Sequence, residues 1–250
     1  MEKPYRDRDW LYKMYWIKKL SIPQIAKEID VSNRTIWEWL NKFSFPSRSR
    51  GEGCHLRNGN HCKLSKKAIE WLNGELLGDG CVYSRHPYSA NFRYSSKYLE
   101  YAQYISDTLK FFGIEQVGKI YKQYYKRGVS YYYASRDYTE LLPIRKQWYP
   151  ENKKIVPKDI ELTPLICRHW YIGDGYLAHP QNSRPHIVLY TNGFSIDDVE
   201  WLASKLIELN FKATRQPSNN IIYMSPYSTQ NFLNYIGKCP IECYNYKWNY

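Results

Sequence analysis

The chain has 250 residues, 43% of them hydrophobic, enough to bury a real core and to exclude a largely disordered protein. Its 36 Lys and Arg exceed its 24 Asp and Glu, and the formal charge of +12 points to a polyanionic partner, either nucleic acid or an anionic membrane surface. No apolar run approaches the roughly 18–20 residues of a membrane-spanning helix, which argues against a membrane protein.

The N-terminal MEKPYRDRDW carries acids and no apolar core, so no signal or transit peptide is read there. Six cysteines form no dense framework and are expected to be reduced thiols. These features predict an intracellular protein, with cytoplasm and organelle not distinguished. Tyrosine is far above ordinary usage, with 26 residues. Its amphipathic ring suits a wet interface where rings stack and hydroxyls reach phosphate.

Residues 1–50 read as an all-α unit. DRDWLYKMYWIKKL places Trp10, Met14 and Ile17 at helical spacing beside Leu11 and Tyr15. In IPQIAKEIDVSNRTIWEWL, the residues Ile22, Ile25, Ala26, Ile29, Val31, Ile36 and Trp39 fall where two packed helices need apolar contacts. Ser32 is a suitable N-cap for the second helix. Asn33, Arg34, Trp37, Glu38 and Asn41 then point outward from a helix sized for the major groove. The stretch resembles the helix-turn-helix of many DNA-binding proteins, with Asp30 where a turn glycine is usual. Ser32, Asn33, Arg34 and Trp37 are its expected DNA contacts, and a module that binds protein rather than DNA is the alternative.

Residues 51–63, rich in Gly, Asn and Arg, read as a linker. Charge does not separate the parts: residues 1–65 hold 13 basic and 7 acidic groups, and residues 66–250 hold 23 and 17. From Leu64 onward one cycle of elements occurs twice, over 64–152 and 153–250. Each pass reads αββαββα with hairpin-like strand pairs, so a duplicated α+β core with pseudo-twofold symmetry is expected behind the helical N-terminal domain. The strands KIYKQYYKR and VSYYYASRD are tyrosine-laden, and alternation sends about half of their side chains to each face. Lys119, Lys122, Lys126, Arg127 and Arg136 are candidate phosphate contacts there, with solvated strand edges as the alternative.

Both passes open with a helix ending in the same tripeptide, Gly78-Asp79-Gly80 in WLNGELLGDG and Gly173-Asp174-Gly175 in CRHWYIGDG. A carboxylate at a helix C-terminus faces the negative end of the dipole. Two of them at matching points of a repeat are unfavourable unless positive charge lies between them. Divalent metal ions supply such charge and can activate water for phosphodiester cleavage.

On residues 72–80 and 167–175 the chain resembles the LAGLIDADG homing endonucleases in their single-chain, two-motif form. The resemblance extends over roughly 64–250, including ENKKIVPKDIELTPLICRHWYIGDG and TNGFSIDDVEWLASKLIELNF. It implies two helices crossing at the dyad and two saddle-shaped four-stranded sheets in the major groove. It puts the catalytic carboxylates at Asp79 and Asp174, with the Gly78 and Gly173 backbones beside the metals. The supporting lysines match Lys154 in KKIVP and Lys247 in YNYKWN. The sequence departs from the family at Leu77 and Ile172, which occupy its penultimate acidic position, and at His169, which sits where the first helix has Gly74. His169 predicts a looser or asymmetric crossing.

The expected function is a monomeric, site-specific double-strand DNA endonuclease using Mg²⁺, with Mn²⁺ as a substitute and a long duplex site as partner. An intron RNA maturase on the same fold is one alternative. A non-catalytic DNA-binding regulator is another. Cys54, His55, His61 and Cys62 are four potential zinc ligands whose spacing matches no common module, so reduced thiols in a basic linker are the expectation.

Overall fold

Two units divide between Gly59 and Asn60, each around its own apolar cluster, in the computed structural model. The structure describes residues 3–126 and 128–250, without the side chains of 57 and 58. Arg127 therefore lies outside the described residues.

In the first unit, Asp7 caps α1 (Arg8–Tyr12) by accepting from the Asp9 and Trp10 amides. The chain then widens over Lys13–Ile17, where the Lys18 amide reaches back five residues to the Lys13 carbonyl at 2.8 Å. That wide turn alters the helical register. Leu11, Met14 and Tyr15 are buried, but Ile17, expected in the core, is 65% exposed. A reciprocal Ser21–Gln24 capping box starts α2 (Ile22–Glu28), and Ser32 caps α3 (Asn33–Lys42) by accepting from the Thr35 amide at 3.1 Å.

Asp30 takes the left-handed conformation in the turn between them, with φ +53°. Ile25, Ala26, Ile36 and Leu40 are buried, and Asn33, Arg34, Trp37, Glu38 and Asn41 are exposed. The stretch expected as a linker is instead largely helical, as α4 (Arg50–Asn58). Ser49 caps this helix from Glu52 N at 3.1 Å, and Glu52 in its first turn suits the dipole. Those two local interactions outweigh the glycines at 51 and 53.

The second unit runs α5 (Lys66–Leu77), β1 (Cys81–His86), β2 (Ser89–Ser96), α6 (Leu99–Phe111), β3 (Tyr121–Tyr125), β4 (Gly128–Ala134) and α7 (Leu141–Trp148). It then repeats as α8 (Pro164–Asp174), β5 (Gly175–Ala178), β6 (His186–Leu189), α9 (Ile196–Glu208), β7 (Ala213–Gln216), β8 (Ile221–Met224) and α10 (Pro226–Ile236). The duplicated αββαββα cycle is therefore present. Both sheets are antiparallel with equivalent strand orders, β1-β2-β4-β3 and β5-β6-β8-β7. Helices cover one face of each sheet, burying Val82, Phe92, Tyr94 and Tyr133 in the first and Leu177, Ile187, Leu189, Ile222 and Met224 in the second. The opposite faces are open. Strand alternation assigns the intervening residues to them, apart from a register break in β1 between Tyr83 and His86.

The leading helices α5 and α8 pack on each other and join both repeats in one core. Their N-termini are capped alike: Ser65 accepts from the Ala68 amide, and Thr163 from the Ile166 amide. Close approach comes from glycine. A methyl group at Gly173 would lie 3.0 Å from the Gly78 Cα and 3.1 Å from the Asp79 nitrogen. A methyl group at Gly74 would lie 2.8 Å from His169 Cβ and 2.9 Å from the Ile166 carbonyl oxygen.

The crossing is thus tight where His169 predicted looseness, because Gly74 vacates the space that His169 fills. It is still asymmetric, one glycine facing one histidine. Gly74→Ala should lower unfolding free energy by about 1–3 kcal/mol through overpacking against backbone, measurable by urea denaturation. A change below 0.5 kcal/mol would mean that the helices slide apart freely at this point.

Candidate active site and nucleic-acid interface

The Gly78–Gly173 contact brings the two Gly-Asp-Gly tripeptides together at the C-terminal ends of α5 and α8. Asp79 is exposed and Asp174 half-buried. Burial and the neighbouring Asp79 push the Asp174 carboxyl up to about 7, against the pull of Lys154 and Lys247. The hydroxyl of buried Tyr94 points at Asp79 Oδ2 from 3.4 Å. Burial, together with the carboxylates of Glu75, Asp79 and Asp174, holds that phenol well above its ordinary value, so it stays a donor.

Lys154 and Lys247 occupy equivalent places. Lys154 follows α7 and returns to cap α5, and Lys247 follows α10 and returns to cap α8, so Lys154, expected at the start of the second pass, packs with the first. Lys154 Nζ donates to the Gly78 and Gly80 carbonyls at 3.1 and 3.2 Å. The chain reaches that position through Glu151 and Asn152, both in the left-handed region with φ +53° and +63°. Lys247, in the C-terminal turn Glu242–Trp248, donates to the Ile172 carbonyl at 2.6 Å and more distantly to those of Tyr171 and Gly173 at 3.4 and 3.5 Å. Tyr171 in turn donates its hydroxyl to the Lys247 carbonyl at 2.6 Å.

The positive charge needed beside the two helix-end carboxylates is therefore supplied in part by the chain itself. Burial lowers both ammonium groups below their ordinary range, Lys247 to about 8, while Asp79 and Asp174 oppose the shift. Gly78 and Gly173, expected beside metal ions, have carbonyls that already accept from these lysines. Two carboxylates remain, one of them strained electrostatically by the other. That set of hard oxygens suits an ion that keeps most of its coordination for water and phosphate, as Mg²⁺ does. Among the described residues no cluster of three or more His, Cys, Asp or Glu forms a closed metal cage. The potential zinc ligands His61 and Cys62 instead meet Glu140, with His61 Nδ1 at 3.1 Å and the Cys62 amide at 3.2 Å.

The raised Asp174 pKa has a consequence for stability. Unfolded, this carboxyl loses its proton near its ordinary value of 3.8; folded, it keeps it to about 7. The stability it contributes is therefore complete below about pH 4 and is lost as the pH rises through 7. In EDTA, unfolding free energy should fall between pH 5 and pH 8 by an amount bounded at about 4 kcal/mol, and Asp174→Asn should remove most of that slope. Equal slopes in the two proteins would contradict the strained pair.

Below the carboxylates, Glu75 Oε1 meets His169 Nδ1 at 2.7 Å across the helix crossing, with both side chains 1% exposed. The Tyr101 hydroxyl donates to the same oxygen at 2.7 Å. Trp71 and Tyr104 flank the imidazole, Tyr104 stacked within 9° of parallel. Neither Glu75, Tyr94 nor Tyr101 stood out in the sequence. The available signal for Glu75 was an acid on a helix face otherwise made of Trp71, Leu72, Leu76 and Leu77.

The expected DNA contacts separate on inspection of the faces. Tyr121, Gln123 and Tyr125 on β3 pair with Tyr132, Ser130 and Gly128 and lie on the open face of the first sheet. Lys122 pairs with Tyr131 and falls on the opposite face, its ammonium 5.2 Å from the Tyr124 ring, so it does not line the open surface. Lys119 and Lys126 are exposed at the ends of β3, and Arg136 is paired with Glu115 at 3.5 Å. The open face also carries Tyr83, Asn91, Arg93 and Ser95, which sequence reasoning missed. Alternation about Val82 and Phe92 was the signal that could have found them.

In the helical unit, Asn33, Arg34 and Trp37 are exposed, while the Ser32 hydroxyl is engaged in capping. Arg34 Nε is held by Glu38 at 2.8 Å on the same helix face. Among the described residues no helix is long and apolar enough to cross a membrane.

Comparison with known proteins gives concordant results. The LAGLIDADG DNA endonuclease family model matches residues 69–232. The solved structure of the homing endonuclease I-WcaI bound to its DNA recognition sequence superposes with a TM-score of 0.64 at 20% identity, covering 83% of this chain and 96% of that one. The uncharacterized protein MJ1098 of Methanocaldococcus jannaschii is 26% identical over 208 residues, 78% of this chain and 76% of its own. The cytochrome b mRNA maturase bI2 of Debaryomyces hansenii is 25% identical over 169 residues, and the match spans only 60% of each chain.

Proposed function

The chain belongs to the LAGLIDADG DNA endonuclease family, and from that premise we propose that it is a site-specific endonuclease that cuts both strands of a long duplex target as a single chain, using Mg²⁺ or, in its place, Mn²⁺. The observation that carries the proposal is the pairing of Asp79 and Asp174 at the glycine contact of α5 and α8, each beside a lysine-capped helix end.

Asp79 and Asp174 would hold the divalent ion, which activates water and stabilises the leaving oxygen when bound. Tyr94 orients Asp79 by donating to it. Lys154 and Lys247 hold the helix-end carbonyls and keep two positive charges beside the phosphate that the carboxylates would otherwise repel. The open sheet faces lie against the duplex, and α3 extends the contact through Asn33, Arg34 and Trp37. A pure DNA-binding regulator has no use for two clustered carboxylates facing a polyanion, which weighs against that alternative.

A randomised duplex library incubated with the protein and Mg²⁺ should yield one family of double-strand ends, absent in EDTA. Identical binding in Mg²⁺ and EDTA with no cut or nicked product from any duplex would sink the proposal. The second reading, an RNA splicing factor on the same fold, is favoured specifically by the likeness to the bI2 maturase. Restored splicing of a host intron by a protein that cuts no DNA would establish it.

A further inference from the structure

On the open face of the first sheet, one arginine is held by a relay of neighbours. Arg93 sits on β2 opposite Cys81 of β1 and Ala134 of β4, at the interior of the sheet. Its guanidinium stacks on the Tyr83 ring with Cζ 3.7 Å from the centroid. Its Nε donates to Asn91 Oδ1 at 2.8 Å, and Asn91 Nδ2 donates to Asp137 Oδ1 at 2.8 Å. The Asp137 carboxylate thus fixes the Asn91 amide with its oxygen toward Arg93, and Asn91 fixes the plane of the guanidinium. Among the described residues neither Nη group has a hydrogen bond. The side chain therefore presents a pre-set fork of donors to whatever lies on that face.

Such a fork matches the O6 and N7 acceptors that only guanine offers side by side in the major groove. A surface arginine that only meets phosphate needs no such fixing, because a phosphate contact tolerates many orientations.

The second repeat differs at the same point. Counted from the matching glycines Gly80 and Gly175, Cys81 corresponds to Tyr176, and the strand partner of Tyr176 is Val188. Val188 is thus the pseudo-symmetric counterpart of Arg93. The lone arginine or lysine within β5–β8 is Arg215, and it turns to the helix-covered side, where it pairs with Glu200 at 3.2 Å; the open face carries His186 two residues from Val188 but no guanidinium. An isopropyl group on an open face without guanidinium suits the thymine methyl.

We propose that Arg93, positioned by Asn91, Asp137 and Tyr83, reads a guanine in the half-site under the first repeat, whereas Val188 at the mirror position meets a thymine in the other half-site. The target is then asymmetric at a pair of positions related by the pseudo-dyad. This rests on the proposed endonuclease reading for the existence of a duplex target, and the experiment separates the two.

Duplexes bound by the full chain are selected from a randomised pool in Ca²⁺, and base preference is read at every position for wild type, Arg93→Ala, Arg93→Lys and Asn91→Ala. Circular dichroism and thermal melting establish that each variant is folded. The wild type should prefer guanine roughly 10- to 100-fold at one position, with thymine favoured at its mirror. Arg93→Ala should abolish that single guanine preference and leave the others. Arg93→Lys should retain overall affinity but lose most of the preference, because a point charge replaces the fork. Asn91→Ala should weaken the same position alone. Enrichment of a target whose preferences are identical in wild type and Arg93→Ala would overturn the guanine assignment and leave the endonuclease reading intact. Failure of the wild type to enrich any duplex would overturn both.

Discussion

Asp79→Asn and Asp174→Asn should each lower the rate of DNA cleavage by about 1,000-fold or more while leaving duplex affinity within a few-fold of wild type. The magnitude follows from the several kcal/mol that a bound divalent ion contributes to a phosphoryl transition state, at 1.36 kcal/mol for each factor of ten. Asparagine keeps the shape and one oxygen but removes the charge that recruits the ion. Affinity should be spared, because the groups proposed to meet the groove lie on the sheets and, on the same proposal, the carboxylates are anions set against an anion. In EDTA, binding should even tighten slightly in either variant, since one repulsive charge is gone. The two substitutions differ in one respect. Asp174→Asn also relieves the strain that pushes this carboxyl up to about 7, so it should stabilise the metal-free protein above neutral pH. A fully active variant of either kind would remove that aspartate from the site.

Glu75→Ala should cost about 3–5 kcal/mol of stability. Glu75 receives both His169 Nδ1 and the Tyr101 hydroxyl on one oxygen at 2.7 Å, and the alanine leaves two buried donors with nothing to bond. Water has little access, since Trp71 and Tyr104 close over the imidazole. Glu75→Gln keeps an acceptor oxygen and should lose roughly 1–2 kcal/mol. The Glu75 main-chain carbonyl, which accepts from the Gly80 amide at 2.7 Å, is kept in both variants, so cleavage should fall only as far as the fold does. Urea denaturation of the three proteins measures the ordering. Equal stabilities for Glu75→Ala and Glu75→Gln would mean that the pair is not the element that fixes the crossing.

The repeats, the sheets and the leading helices were legible because each rests on local pattern. Ser65 and Thr163 announce helix starts, alternation announces strands, and two identical tripeptides announce the pseudo-dyad. Asp30 was readable for the same reason, since its left-handed turn is a property of one residue. Errors came where one local signal hid another. Gly51 and Gly53 suggested a linker, but the Ser49 cap and Glu52 make a helix there. Ile17 fits a regular helical face and is exposed because the preceding turn is wide.

Lys122 looked equivalent to its basic neighbours, and only the register against Tyr131 puts it on the other face. Of the candidate site, Asp79 and Asp174 were singled out by the paired tripeptides and Lys154 and Lys247 by the family resemblance, while the carbonyls that the lysines meet were not foreseen. A dipole argument alone asked for positive charge and named metal as its source. That each lysine returns to the carbonyls of its own repeat's helix depends on chain reversals 75 or so residues away, beyond any spacing rule. The Arg93–Asn91–Asp137 relay was hidden likewise, because it joins β2 to a loop more than 40 residues further along the chain.

The central claim is that the two aspartates at the helix crossing hold a divalent ion in position to act on DNA. Substituting Fe²⁺ for Mg²⁺ in the DNA complex and adding ascorbate and peroxide converts the bound ion into a local source of hydroxyl radical, which breaks the nearest polypeptide. The account predicts chain breaks at 78–80 and 173–175, suppressed by excess Mg²⁺ and absent from the Asp79→Asn/Asp174→Asn double variant. Breaks confined to other segments, or an unchanged pattern in the double variant, would contradict it.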